Sequence, residues 1–221
     1  MTDPVTHSAS LVYIVDDDER VRQVVARVVR SFGHEVEDFA SAEAFLSAFD
    51  PGRPACLVLD MHLVGGTGMQ LFEELEARGA GLPTIFMTGA GTIPMSVQAM
   101  KAGAVEFLTK PIEWEALKTA LQQALTRAES AAAMRSQKAE LEALLARLTP
   151  RELAVLPYVA KGMLNKQIAV ELSIVEQTVK VHRARVMQKL AVESVADLVR
   201  LTERCQLFGI SLTPPASPPG Q

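Results

Sequence analysis

The sequence has 221 residues, of which 48% are hydrophobic, and a formal net charge of −4. No apolar run approaches the roughly 18 residues of a membrane-spanning helix, and the N-terminus lacks a signal-peptide pattern. Two cysteines, Cys56 and Cys205, are too few for a disulfide framework or a zinc cluster. We therefore expect a cytoplasmic protein without a membrane partner.

Charge is unevenly distributed along the chain. Residues 1–127 contain 17 acidic and 10 basic side chains, whereas residues 148–221 contain 6 acidic and 9 basic ones. The asymmetry indicates two domains with different partners. The basic excess of the rear part is too small to establish nucleic-acid binding by itself.

Residues 11–127 alternate between short β-branched or apolar runs and helical patterns. We predict strands at residues 11–15, 35–39, 56–59, 83–88 and 105–108. We predict helices at residues 19–32, 41–49, 69–78, 93–102 and from 113 onward. The segment 65–68 after the third strand is a Gly-rich loop. Alternating strands and helices imply right-handed crossovers, and hence an α/β domain with a doubly wound, five-stranded parallel sheet.

Charged residues follow three of the predicted strands. Asp60 ends the third strand, Lys110 follows the fifth, and the first strand ends in Asp16, Asp17 and Asp18. The carboxyl ends of parallel strands share one edge of the sheet, where such proteins bind ligands. Because crowded carboxylates repel each other unless a cation lies between them, we predict a Mg²⁺ site. A structural role for Asp60 as a cap is the alternative, and we expect Asp18 to begin the first helix.

Four motifs in this region resemble the receiver domain of bacterial two-component response regulators: IVDDDERVR, LVLDM, MTG and FLTKP, in that order and spacing. The resemblance implies a flavodoxin-like fold over residues 11–127 and transfer of a phosphoryl group from a sensor histidine kinase to Asp60. It implies that the ligands of Mg²⁺ are Asp16, Asp17, Asp60 and the backbone carbonyl of His62. It also implies that the phosphoryl group is contacted or sensed by Thr88, Phe107, Lys110 and Pro111.

Two positions depart from the pattern of the family. The loop after Asp60 usually contains Met-Pro-Gly but here contains Leu63, Val64 and Gly65, so we expect a less rigid loop. Ala90 stands where close relatives often have a larger side chain, which would leave the phosphoryl group more open to water. Neither change removes an acid, the lysine or the threonine, so we expect an active receiver.

The rear of the chain is predicted to be helical. Residues 128–147 are rich in Ala, Glu, Gln, Lys and Arg with a narrow leucine stripe, which indicates a helical linker. Residues 148–208 contain four helical patterns, the first starting at a Thr149–Glu152 capping box. A tight turn joins the second to the third, which is typical of a helix-turn-helix domain. We expect residues 1–10 to be flexible and the Pro-rich tail 209–221 to be disordered.

The third of these helices, predicted at residues 176–190, has two distinct faces. Val179, Val186 and Leu190 form a buried stripe when successive residues are placed about 100° apart. The opposite face has no acid, and its cations, amides and small apolar groups suit contacts with phosphates and base edges. Its members are Gln177, Lys180, Val181, Ala184, Arg185 and Gln188. A solvated surface is the alternative for this face.

The segment TVKVHRARVMQKL also resembles the LuxR/NarL-type DNA-binding domain. This resemblance implies that Thr178, His182 and Arg183 contact the DNA backbone. With the receiver, the whole chain is similar to the FixJ group of response regulators, and to its StyR/TodT branch. The chain is then a transcription regulator and not an enzyme, with promoter DNA and RNA polymerase as partners. Its phosphorylated form would dimerise through Val97, Met100, Lys101, Val105 and Glu106.

Two other functions stay open at this point. An aspartate-nucleophile phosphatase could use a similar sheet, but it would need a substrate-recognition domain and would turn over small phosphoesters. A constitutive DNA-binding protein could use the receiver only for dimerisation, and it would not incorporate phosphate.

Overall fold

The structure is a computed structural model that describes residues 10–89 and 93–212; for residues 93 and 94 it describes the backbone only. The predictions for Ala90, for residues 1–9 and for residues 213–221 therefore lie outside the described residues. The chain divides into two compact units, Met1–Ala133 and Met134–Gln221. No helix in the described ranges is both long and apolar enough to span a membrane.

The first unit contains a parallel sheet and its flanking helices. The strands are β1 (Leu11–Val15), β2 (Glu35–Phe39), β3 (Ala55–Asp60), β4 (His62–Leu63), β5 (Gly66–Thr67), β6 (Thr84–Thr88) and β7 (Glu106–Thr109). The helices are α1 (Glu19–Ser31), α2 (Ala42–Ala48), α3 (Gly68–Ala77), α4 (Ile93–Lys101) and α5 (Trp114–Leu145). The main sheet has the order β2-β1-β3-β6-β7, and all its neighbouring strands are parallel. The predicted doubly wound, five-stranded sheet is therefore confirmed.

The central strands β1, β3 and β6 are buried along their whole length, as expected for strands covered on both faces. Alternate residues of β1 enter opposite apolar layers, with Tyr13 in one cluster and Ile14 in the other. Tyr13 packs edge-on against Phe45 of α2, with ring centroids 5.3 Å apart. Because slipping a strand by one residue would exchange the two layers, this packing sets the register and thus the residue at which each strand ends.

Capping side chains mark the first residues of the helices next to the carboxyl edge of the sheet. The Asp18 carboxylate accepts hydrogen bonds from the backbone N–H groups of Arg20 and Val21, at 2.8 and 3.4 Å. Asp18 therefore begins α1, as predicted. Thr67 and Gln70 form a capping box at the start of α3.

The Gly-rich segment after Asp60 is more ordered than the loop that we predicted. His62 pairs with Thr67 and Leu63 with Gly66, so β4 and β5 form a small antiparallel hairpin. The turn includes Gly65 at a φ of +90°, a left-handed conformation that glycine adopts without steric cost. Two-residue strands are too short for a periodic pattern, which is why the sequence did not predict them.

The regular secondary structure of the second unit, within the described residues, is all helical. Besides the end of α5, it contains α6 (Pro150–Ala160), α7 (Asn165–Glu171), α8 (Glu176–Lys189) and α9 (Val195–Leu207). Helix α5 crosses the predicted linker and contributes Leu141 and Leu145 to the core of this unit. Thr149 and Glu152 form the predicted capping box at the start of α6. The four-helix domain with a helix-turn-helix is therefore confirmed.

The packed part of this unit extends further than we predicted. The N–H of Ile210 donates to the carbonyl oxygen of Cys205 at 2.8 Å, and both Ile210 and Leu212 pack against the core. The prediction of a disordered tail is therefore wrong for residues 209–212, because apolar side chains beyond Gly209 still contact core surface. At the other end of the described residues, the Ser10 hydroxyl donates to Glu129 at 3.3 Å.

Candidate functional site

The carboxyl ends of β1, β3 and β7 bring three charged side chains together. Lys110 Nζ lies 2.7 Å from Asp16 Oδ2 and 2.8 Å from Asp60 Oδ1. The backbone N–H of Lys110 also donates to the carbonyl oxygen of Thr88 at 2.7 Å, which ties the lysine to the end of β6. Four strands thus converge on an ammonium group held between two carboxylates.

Both carboxylates are buried, with Asp16 at 0% and Asp60 at 5% exposure. Burial raises the pKa of Asp16, although the hydrogen bond from Lys110 acts in the opposite direction. Burial alone would lower the pKa of Lys110, but its hydrogen bond to Asp16 and its ion pair with Asp60 outweigh that effect and raise the pKa. The lysine therefore stays protonated at neutral pH.

A third acid, Asp17, lies on the exposed side of this pair. Asp16, Asp17 and Asp60 each have an oxygen that lies within 4.8 Å of the others. Mg²⁺ prefers oxygen ligands, binds through one or two carboxylates and keeps several waters. These residues therefore fit the predicted Mg²⁺ site, whereas Asp18 is engaged as the cap of α1. The proposed role of the His62 backbone carbonyl stays a prediction.

The other residues predicted to contact or sense a phosphoryl group lie on the same strands. Thr88 is fully buried at the end of β6, and Phe107 of β7 packs, partly buried, against an apolar cluster. The peptide bond between Lys110 and Pro111 is cis. The structure thus places these residues at or beside the acidic edge, and their roles stay predictions.

The surface predicted for dimerisation is exposed only in part. On α4, Val97 is 45% and Met100 44% exposed, and Lys101 is exposed, while Glu106 on β7 is half-buried. Val105 is only 4% exposed and packs in the apolar layer that includes α5. Its backbone N–H donates to the carbonyl oxygen of Thr84 at 2.8 Å. Val105 therefore exposes almost none of its side chain, and its part in this surface stays a prediction.

Helix α8 has the two faces predicted from the sequence. Val179, Val186 and Leu190 lie in the core of the second unit. The opposite face is exposed at Gln177, Lys180, Val181, Ala184, Arg185 and Gln188. Thr178 is exposed, whereas His182 and Arg183 are half-buried. A helix whose outer face has cations and small groups but no acid suits the major groove of DNA.

Two contacts that support these sites were not found by reasoning from the sequence. Arg22 Nη1 donates to the backbone carbonyl oxygens of Asp16 and Asp17. In the second unit, Lys189 Nζ lies 2.6 Å from the buried Glu152 carboxylate. The sequence indicated Glu152 only as part of a capping box, because Lys189 comes 37 residues later in the chain and no local pattern joins them.

The fold and the two sites define a class of protein, a receiver joined to a helix-turn-helix domain. Residues 12–122 match the family described as "Response regulator receiver domain", and residues 146–202 match "Bacterial regulatory proteins, luxR family". The chain therefore belongs to the response regulators of two-component systems, a family of DNA-binding transcription regulators. This membership is consistent with the prediction that the chain is not an enzyme.

Particular relatives agree with the predicted FixJ group and its StyR/TodT branch. The chain is 44% identical over 196 residues to the response regulator protein TodT of Pseudomonas putida, which covers 89% of this chain and 86% of that protein. The solved structure of the response regulator StyR is 47% identical, with a TM-score of 0.81, and covers 89% of this chain and 100% of StyR. Full-length FixJ from B. japonicum is 35% identical, with a TM-score of 0.53, over 90% of this chain and 98% of FixJ.

Proposed function

We propose that Asp60 accepts a phosphoryl group from a sensor histidine kinase, and that this reaction controls promoter binding in the cytoplasm. The main support is the position of Lys110 Nζ, which lies 2.8 Å from Asp60 and 2.7 Å from Asp16, with Asp17 beside them. A carboxylate is a weak nucleophile, and phosphoryl transfer depends mainly on positioning and neutralisation of charge. This edge of the sheet offers both.

In the proposed reaction, a carboxylate oxygen of Asp60 attacks the phosphorus of a phosphohistidine. The new P–O bond forms as the P–N bond breaks, and the imidazole of the kinase leaves. The residues that would hold Mg²⁺ are Asp16, Asp17, Asp60 and the carbonyl of His62. When bound, Mg²⁺ supplies positive charge to the phosphoryl oxygens. Lys110 would pair with those oxygens, Thr88 would donate its hydroxyl to them, and Phe107 and Pro111 would respond to the change.

The test measures phosphate incorporation from acetyl phosphate in the presence of Mg²⁺, by intact mass. Asp60→Asn is nearly isosteric but has no carboxylate nucleophile, so we expect no incorporation. Asp18→Asn is the matched control, because asparagine caps a helix about as well as aspartate and should leave incorporation unchanged. Asp17→Ala should weaken Mg²⁺ binding and slow incorporation together.

Three results would count against the assignment. Label on Asp60→Asn at the wild-type rate would exclude Asp60 as the acceptor. No label on the folded wild-type protein would favour a constitutive DNA-binding protein. Turnover of small phosphoesters would instead favour the phosphatase.

We also propose that the outer face of α8 binds promoter DNA, with Thr178, His182 and Arg183 on the backbone. Lys180→Ala should cost about 1–3 kcal/mol at a specific site if the lysine contacts a guanine. If Lys180 contacts only phosphate, binding should weaken on all sequences and the salt slope should fall by about one. Arg200→Ala on α9 removes an equal charge from an exposed residue paired with Asp197, and should have little effect. If Lys180→Ala bound specific and random DNA as tightly as the wild type, the alternative interpretation of this face as a solvated surface would be favoured.

We further propose that phosphorylation promotes a homodimer that binds paired half-sites, with RNA polymerase as a later partner. Val97 and Met100 are exposed beside basic Lys101 and acidic Glu106, and such a mixture suits a self-complementary two-fold contact. In light scattering with acetyl phosphate, Val97→Glu should stay monomeric. Val24→Glu on α1 is the control, since Val24 is similarly exposed. A phosphorylated wild type that stays monomeric, with no gain in DNA affinity, would refute this coupling.

A further inference from the structure

Arg22 lies in the first turn of α1, beside the acidic loop that follows β1. Its side chain is only 14% exposed, and its Nε lies 3.5 Å from Asp38 Oδ2 on β2, an ion pair without a hydrogen bond. Its Nη1 donates to the backbone carbonyl oxygen of Asp16 at 2.8 Å and to that of Asp17 at 3.2 Å. The guanidinium therefore joins the acidic loop to β2.

These contacts hold the backbone of the acidic loop. The N–H of Asp16 donates to the carbonyl oxygen of Phe39 at 3.2 Å, and the N–H of Asp18 donates to Asp16 Oδ1 at 2.9 Å. Arg22 engages the carbonyl groups of Asp16 and Asp17, so the peptide groups after both acids are oriented as well. An aspartate side chain is short, so the position of its carboxylate follows closely from that of its backbone.

We propose that Arg22 is a positioning residue of the divalent-cation site: it holds the backbone of Asp16 and Asp17 so that their carboxylates converge with that of Asp60. The inference rests on the proposed function, because that function requires the cation. Groups that orient metal ligands without touching the metal typically change metal affinity by about 10–100-fold when they are removed. Asp38 adds an ion pair to the guanidinium from β2, without a hydrogen bond to Nε.

The charge of Arg22 and its contacts with the backbone predict opposite effects on Mg²⁺ affinity when Arg22 is replaced. A guanidinium near the site repels a divalent cation, so loss of its charge alone would tighten Mg²⁺ binding. Loss of the two carbonyl contacts would free the loop and weaken binding. Arg22→Met keeps a long apolar side chain without a donor, and we expect its Kd for Mg²⁺ to rise by about tenfold.

Two further variants separate the two effects. Arg22→Lys keeps the charge, but its ammonium has a shorter reach and lacks the planar fork, so we expect binding to weaken several-fold. Arg30→Met is the matched control. Arg30 lies on the same helix and pairs with the same Asp38 at 3.9 Å, but it is 55% exposed and its other contact is the carbonyl oxygen of Val36. We expect its affinity to equal that of the wild type.

The experiment titrates the full chain with Mn²⁺, counts free ion by electron paramagnetic resonance, and obtains Mg²⁺ affinity by competition. Circular dichroism checks that each variant is folded. Weaker binding by both Arg22 variants, with Arg30→Met unchanged, is the expected result. If folded Arg22→Met binds the ion as tightly as the wild type or more tightly, the inference is overturned. If Arg22→Met is unfolded, wild-type affinity of Arg22→Lys overturns it instead. A folded wild type that binds neither ion would instead refute the proposed metal site itself, and the inference with it.

Discussion

Gly68, the first residue of α3, touches the backbone of the proposed acceptor. A Cβ built on Gly68 would lie against the carbonyl oxygen of Asp60, well inside the 3.0 Å below which real Cβ contacts essentially never fall. It would also lie 3.1 Å from the carbonyl carbon of Asp60 and from Leu59 Cγ. The obstacle is mainly backbone, so Gly68→Ala must displace either the end of β3 or the start of α3.

The expected cost follows from this geometry. Forcing an extra carbon into packed structure typically costs about 1–3 kcal/mol, and the better helix propensity of alanine offsets less than about 1 kcal/mol of it. The displacement acts on Asp60 itself, and a misplacement of about 1 Å can reduce a reaction rate about a hundredfold. We therefore expect Gly68→Ala to lower both the free energy of unfolding and the rate of phosphate incorporation.

Gly89→Ala is the matched control. Gly89 follows Thr88 near the same edge of the sheet, and its added Cβ would meet no atom within 4 Å among the described residues. Urea unfolding and acetyl phosphate labelling are measured on both variants. If Gly68→Ala matched Gly89→Ala in both measurements, the close approach to Asp60 would not constrain the site.

Three further predictions follow from buried groups. Lys189→Met leaves the Glu152 carboxylate, 1% exposed, without its cation, and should lower the free energy of unfolding of the second unit in urea by about 1–3 kcal/mol. Burial would raise the pKa of Glu152, but hydrogen bonds from Lys189 and Thr149 hold that pKa below its usual value. The stabilisation that the Glu152 carboxylate contributes is therefore full above about pH 4.3, and it is lost as the pH falls through the lowered pKa. The acid-unfolding curve should show that loss in the wild type and much less of it in Lys189→Met. Burial also raises the pKa of the Cys56 thiol, so iodoacetamide should modify Cys56 in urea but not in the native protein, as mass spectrometry of peptides would show.

The sequence alone determined the features that depend on local pattern. The apolar runs that end at Val15 and just before Asp60 predicted buried parallel strands. Because Asp60 stands at the end of such a strand, the sequence also predicted its place at the ligand-binding edge of the sheet. Helix caps such as Asp18 were equally local, since a carboxylate at that position bonds to N–H groups only two and three residues later. The two faces of α8 followed from helical periodicity, which repeats within four residues.

Only the tertiary structure decided contacts between distant parts of the chain. Lys110 and Asp16 are 94 residues apart, and their 2.7 Å contact depends on strand order and register. Val105 illustrates the limit of local pattern, because a side chain that we expected on the surface packs in the apolar layer that includes α5. Arg22 resembles any exposed cation in a helix until β2 brings Asp38 beside it. Such contacts depend on packing between elements, and a local residue pattern does not encode the distance between two elements.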